Sequence, residues 1–220
     1  KNNVIWLVLY LLAIPAGLGI AIFLNQKIRG MRAYKSLFFF PFVISQVVVG
    51  LIFAWFYAPG FGLFYMIIEK ITGSEIAILA DERFATYGII FAGLWPQIAY
   101  CMILYLTGLN AVDPEQIEAA RLDAAKGFKM LWYIILPQLR PATFLAMVVT
   151  VIGALRSFDL VSIMTVGGPY GFTRVLSFYM YEQAISEYGD RMGYGDSVAV
   201  ILFLIMMVLI TGFIWKMVGD

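Results

Sequence analysis

Two groups of residues in this chain have the types and spacing to do something specific. The first surrounds a proline in the run FATYGIIFAGLWPQIAYCMILYLTGL, Phe84–Leu109. Gln97 offers two hydrogen-bond donors and an acceptor. Trp95 and Tyr100 offer flat faces for the C–H surface of a hydroxylated ring, with the Tyr hydroxyl as a polar tip. Pro96 cannot donate a backbone hydrogen bond and displaces the carbonyl of Ala92, so the sequence predicts a helix interrupted at Trp95–Gln97. A break of this kind in an apolar layer exposes backbone groups that can hold a ligand. It equally serves helix packing, with Gln97 bonded to a neighbouring helix. Three other polar residues stand in apolar runs. Gln46 either lines the same cavity or joins helices. Arg156 and Asp159 have a spacing that pairs them on one helix face; a charge at that depth either faces a water-filled cavity or snorkels to the headgroups.

The second group is PEQIEAARLDAAKGFKMLWYIILPQLRP, Pro114–Pro141, which carries Glu115, Glu118, Arg121, Asp123, Lys126 and Lys129 among alanines. Asp113 can cap a helix here, Pro114 suits its first turn, and Gln116 follows Asp113 as in a capping box. Ile117, Ala120, Ala124 and Phe128 then share a face, with Gly127 as the stop. Such a helix is too polar to insert in lipid. Its mixed charge fits a lipid surface poorly, and Ala119 and Ala120 leave room for another surface to approach the backbone closely.

Composition excludes several chemistries. Histidine is absent, which removes a histidine triad and an HExxH zinc site. The single cysteine, Cys101, rules out an intrachain disulfide. No GxxxxGK[ST] loop is present, so the chain cannot supply ATP chemistry itself and no cofactor of its own is expected. A net charge of +1 provides no basic field for nucleic acid.

The elements that must position these residues are apolar helices. The chain has 220 residues, 62% hydrophobic and 13% charged, too much apolar surface for a soluble core of this size. Spans long enough for a layer about 30 Å thick are expected near Val4–Leu24, Leu37–Tyr57, Phe84–Leu109, Ala142–Ile163 and Ser197–Met217. No period-two alternation favours a membrane β-barrel. Basic residues gather in two links: Lys27, Arg29, Arg32 and Lys35 in one, Arg121, Lys126, Lys129 and Arg140 in the other. Those links, and the C-terminus with Lys216, are therefore expected on the cytoplasmic side. The start of the chain then lies outside, which predicts at least one further span upstream. Phe64–Ile68 is expected to lie as a short helix at the membrane surface.

The stretch EAARLDAAKGFKMLWYIILP resembles the cytoplasmic EAA motif of permease subunits in binding-protein-dependent ABC transporters. Glu118, Ala119, Ala120, Ile134, Leu136 and Pro137 fall at the motif's spacing. The family glycine falls at Ala124, and alanine's higher helix preference argues against a sharp bend there. LTGLNAVDPEQIEAA, FDLVSIMTVGGP, RAYKSLFFFPFVIS and YGDSVAVILFL are similar to the carbohydrate-uptake branch, the maltose-type membrane subunits, so the likeness covers essentially the whole chain. It implies an all-α polytopic bundle forming a single domain over residues 1–220, with a coupling loop at 110–140 and an external loop at 164–196.

Several functional expectations follow from the resemblance. The EAA helix would rest in a cleft of the cytoplasmic ATPase, of which the importer would have two subunits that use ATP and Mg. A related second permease would complete the pore. The sugar would be held by the segment that falls here on Gly93–Cys101, and so by Gly93, Trp95, Gln97, Tyr100 and Cys101. Gly167, Gly168 and Pro169 would contact the soluble sugar-binding protein. The function expected is a permease subunit that imports a di- or oligosaccharide across a prokaryotic inner membrane. The alternatives are a polyol, glycerophosphodiester or other osmolyte importer of the same branch, an intramembrane enzyme, and a structural scaffold.

Overall fold

The computed structural model describes residues 1–26, 30–73, 76–185 and 191–218, and every regular element among them is helical. Lys27, Arg29 and the Lys216 side chain, used above for orientation, lie outside what is described. Helices α1 (Asn2–Tyr10) and α2 (Ala13–Leu24) run on as one apolar rod. Then come α3 (Met31–Val43), α4 (Gln46–Phe56) and a short helix α5 (Leu63–Thr72), which contains the expected surface segment. Helix α6 (Ala85–Asn110) is long and central, and more of it is buried than of any other rod. The charged stretch forms α7 (Pro114–Leu122). A helical run follows, from α8 (Phe128–Met130) through a π turn at Leu131–Ile135 to α9 (Leu136–Gln138). The next rod is α10 (Arg140–Leu155) with α11 (Phe158–Met164); α12 (Leu176–Ala184) and α13 (Met192–Val218) complete the chain.

Four of these rods are long and apolar enough to cross a membrane: Asn2–Leu24, Ala85–Asn110, Arg140–Met164 and Met192–Trp215. The expected span Leu37–Tyr57 differs. It is divided between α3 and α4, which meet at 97°. Ile44 and Ser45 are extended at the corner, and Ser45 Oγ accepts the Val48 N–H at 3.4 Å. A serine that caps a new helix gives the backbone an alternative to continuing the old one, and Pro41 inside α3 weakens the old one further. This corner puts Gln46 at the start of α4.

The break expected at Pro96 is absent. Helix α6 passes through it, because one missing hydrogen bond is tolerated in a helix packed on several sides. The polar interruption lies instead between α10 and α11. There Ser157 Oγ donates to the carbonyls of Gly153 and Ala154, at 2.9 and 3.0 Å, and so satisfies groups that the helix end leaves free.

Small residues set how closely the rods approach. On α2, Ala13, Gly17 and Ala21 form a buried stripe at four-residue spacing that lies along α6. A Cβ at Gly17 would sit 2.6 Å from Cys101 Cβ. At Gly93 a Cβ would collide with the Tyr10 hydroxyl and with Leu160. Two larger apolar cores result, with a smaller third between α10 and α13 around Val151, Leu155 and Leu202. One joins α2, the second half of α6 and the start of α10, around Leu24, Met102, Tyr105 and Leu139. The other joins α1, the first half of α6, and α11 with α12, around Trp6, Ile89, Leu160 and Phe178. The charged loop follows the first core, and the glycine turn at 167–171 follows the second, so the two lie at opposite ends of the bundle.

Candidate functional site

Beside the core of α1, α6 and α11, whose Tyr10 and Leu160 form part of its wall, is a cavity of about 320 Å³, within the range of small-molecule sites. Tyr10 of α1, Gln46 of α4, Gln97 and Tyr100 of α6, and Gly153 of α10 line it, together with Arg156, Ser157 and Asp159 at the α10–α11 junction. The structure thus brings together Gln46, Gln97, Tyr100, Arg156 and Asp159 from the residues the sequence singles out. Tyr100 is held by stacking on Phe42 of α3, ring centroids 4.8 Å apart.

Three other residues of the Gly93–Cys101 window lie elsewhere. Gly93 is buried where α1 meets α6, against Tyr10. Trp95 packs edge-on against Phe53 of α4, centroids 5.9 Å apart, and belongs to the core. Cys101 is buried beside Thr150. On the continuous helix Trp95 points away from Gln97, whereas Gly93 and Cys101, four residues to either side of Gln97, are covered by Tyr10 and by Thr150. Sequence reasoning missed Tyr10, Gly153 and Ser157. A tyrosine inside a first apolar span and a serine next to Arg156 were the available signals; Gly153 carried none.

Arg156 and Asp159 form no ion pair among the described residues. Their spacing pairs side chains only on an unbroken helix, and the axis breaks between them at Ser157. Arg156 ends α10 and Asp159 sits in the first turn of α11, so each charge faces the helix end whose dipole favours it. Both also line a second cavity, of about 370 Å³, toward α12 and α13. They stand between two cavities.

At the other end, α7 begins as expected. Pro114 is its first residue, and Asp113 Oδ1 accepts the Glu115 N–H at 2.9 Å. The reciprocal partner is Gln138 in place of Gln116: its Oε1 accepts the Asp113 N–H at 3.2 Å. The helix ends at Leu122, short of Gly127. Ala124 is left-handed (φ 58°), with Ala125 N–H bonded to Ala120 at 2.9 Å and Ala124 N–H to Arg121 at 3.1 Å. These are the two bonds of a Schellman stop, formed here with alanine where glycine is usual. The sharp bend argued against is therefore present, and Ala124 and Phe128 leave the face of Ile117 and Ala120. Ala120 is buried, while Glu118 and Ala119 are exposed. Ile134, Leu136 and Pro137 follow in the helical run, with Pro137 exposed. Leu122, Phe128, Trp132 and Tyr133 are exposed around them, an apolar patch on a charged loop.

The glycine turn is pinned from below. Thr173 Oγ1 donates to the Gly168 carbonyl at 2.8 Å, and Thr86 Oγ1 and Asn2 Nδ2 both donate to the Phe172 carbonyl. Gly167 is buried against Phe178, and Gly168 and Pro169 are half-buried. The most exposed side chains of the turn are Val166 and Tyr170.

Residues 13–218 match the family model described as binding-protein-dependent transport system inner membrane component. The chain belongs to this family. This permease is 32% identical over 227 residues to a probable ABC transporter permease protein of Pyrococcus horikoshii, covering 100% of this chain and 76% of that one. It is 33% identical over 193 residues to the multiple sugar-binding transport system permease protein MsmF of Streptococcus mutans, covering 88% of this chain and 66% of the relative. Its fold is that of a chain in the crystal structure of a bacterial alginate ABC transporter in complex with an alginate pentasaccharide-bound periplasmic protein. The TM-score is 0.85 at 20% identity, over 97% of this permease and 75% of the other chain. The permease is thus an integral membrane component of a transport system.

Proposed function

We propose that this permease forms one half of the pore of an ATP-driven importer for a di- or oligosaccharide in a prokaryotic inner membrane. The observation that carries the reading is the cavity lined by Tyr10, Gln97 and Tyr100. An amide pair, two phenols, a serine hydroxyl and one charge of each sign, Arg156 and Asp159, suit a ligand of no net charge rich in hydroxyl groups, and Tyr100 supplies an aromatic face. Membership of the family and the likeness to a multiple sugar-binding permease support the same substrate class.

Coupling runs through the charged loop, residues 110–140. Glu118 and Ala119 face outward on a short helix, and the apolar patch of Leu122, Phe128, Trp132 and Tyr133 offers area for a firm contact. One of two ATPase subunits holding ATP and Mg docks there on the cytoplasmic side, where the C-terminus also lies. The chain itself holds no cofactor. A related second permease completes the pore. A soluble binding protein delivers sugar at the opposite end, within residues 164–196, touching Val166 and Tyr170 above Gly167, Gly168 and Pro169. Closure of the ATPases tilts α7 and exposes the cavity alternately to each side, with Arg156 and Asp159 at the boundary.

The test is uptake of labelled maltose, trehalose and maltotriose by the assembled complex in vesicles, with ATP hydrolysis followed in parallel. Glu118→Lys is expected to abolish uptake while the chain stays inserted. Gln97→Ala is expected to lower uptake with assembly intact. No uptake of any of the three sugars by the wild-type complex would sink the substrate reading; wild-type uptake in Glu118→Lys would sink the coupling reading.

A further inference from the structure

Gln97 does not hang freely in the cavity. Its Nε2 donates to Thr150 Oγ1 at 3.0 Å and lies 4.0 Å from Cys101 Sγ. Cys101 Sγ and Thr150 Oγ1 are themselves 3.5 Å apart. Thr150 is fully buried and Cys101 nearly so, which turns this end of the amide away from the cavity. The other end points at Gly153: a Cβ there would lie 3.3 Å from Gln97 Oε1, and both residues line the cavity. Two acceptors for Nε2, Thr150 Oγ1 and Cys101 Sγ, lie on this side of the amide and hold it in this orientation, and Thr150 and Cys101 also contact each other.

We infer that Thr150 is a positioning residue and Gly153 a specificity-determining one: the first fixes the Gln97 amide and the second leaves its carbonyl uncovered. The cavity therefore offers an acceptor at this point and selects ligands that present a hydroxyl donor to it. The inference rests on the cavity being the substrate site and adds which groups of the ligand are read there. A ligand lacking that hydroxyl leaves the carbonyl unpaired in a partly desolvated site, the situation in which polar sites discriminate most strongly. A side chain at position 153 would crowd the same oxygen without touching Thr150.

The assembled complex labelled with 15N-glutamine provides a readout that does not depend on the sugar. The Gln97 side-chain resonance is identified by its loss in Gln97→Ala. Its NH₂ protons are expected to exchange with water more slowly than those of exposed glutamines, by about tenfold or more for a bond of ordinary strength. Protection should persist in Thr150→Ser, which keeps the hydroxyl, and vanish in Thr150→Val, which keeps the shape. With the same three sugars and their monodeoxy analogues, wild type and Thr150→Ser are expected to prefer one parent over one analogue by roughly three- to tenfold, and Thr150→Val to lose that preference. Gly153→Ala should keep the protection and lower uptake of the parent sugar. Exchange at the solvent rate in the wild type, or protection that survives Thr150→Val, overturns the inference and leaves the cavity reading standing. Unchanged uptake in Gln97→Ala overturns the cavity reading whatever the exchange experiment gives.

Discussion

Gln138 ties the start of α7, at Asp113, to the helical run that follows it. Its Oε1 accepts the Asp113 N–H at 3.2 Å while its Nε2 donates to the Ile134 carbonyl at 3.1 Å. One side chain therefore holds both arms of the charged loop. Gln138→Leu removes both bonds at a half-buried site, which costs roughly 1–3 kcal/mol of local stability. The expected outcome is faster amide hydrogen exchange across residues 113–122, with ATP hydrolysis continuing and less sugar moved per ATP. Gln138→Glu keeps the acceptor for Asp113 and should lie between the two.

Ala124 adopts a left-handed conformation at the stop of α7. A residue with a Cβ pays about 1–2 kcal/mol there relative to glycine. Ala124→Gly is expected to raise the midpoint of thermal unfolding of the purified complex slightly, and Ala124→Val to lower it. Equal midpoints for all three would mean that the bend is not formed in the assembled transporter.

These two residues mark where sequence reading succeeds and where it stops. Asp113 and Pro114 announce the start of α7 through local chemistry, and the structure begins the helix there. The end of α7 is not announced, since alanine's own preference is to continue; two backbone bonds back to Ala120 and Arg121 override it. The long rods are legible because lipid demands about 20 apolar residues in a row. The corner at Ser45 is hidden because the apolar pattern runs straight through it. Gln97 is legible as a polar residue out of place, whereas Thr150, its partner 53 positions away, is a contact that no local pattern encodes.

Gly93 tests whether that part of the window packs helices or lines the path. A side chain there meets the Tyr10 hydroxyl and Leu160. Overpacking of this kind costs about 1–3 kcal/mol. Gly93→Val is expected to reduce the yield of assembled complex measured by size-exclusion chromatography. Normal assembly with altered sugar preference would instead put position 93 on the path.

Arg156 and Asp159 both line the cavity without pairing. Removal of either charge should then act independently of the other. Uptake rates for Arg156→Gln, Asp159→Asn and the double variant are expected to combine multiplicatively to within about twofold, as for uncoupled sites. A double variant close to either single one would reveal an ion pair at some stage of the cycle.

Helix α6 extends without a break from Ala85 to Asn110, with Gln97 and Tyr100 on its flank and α7 starting just beyond its end. At 1.5 Å per residue, the amide lies about 20 Å from the helix end along one stiff shaft, and α2 is splinted against that shaft by its stripe of small residues. On the proposed reading, work delivered at the charged loop crosses one turn, at residues 111–113, and then reaches the cavity-lining groups as displacement of a single lever.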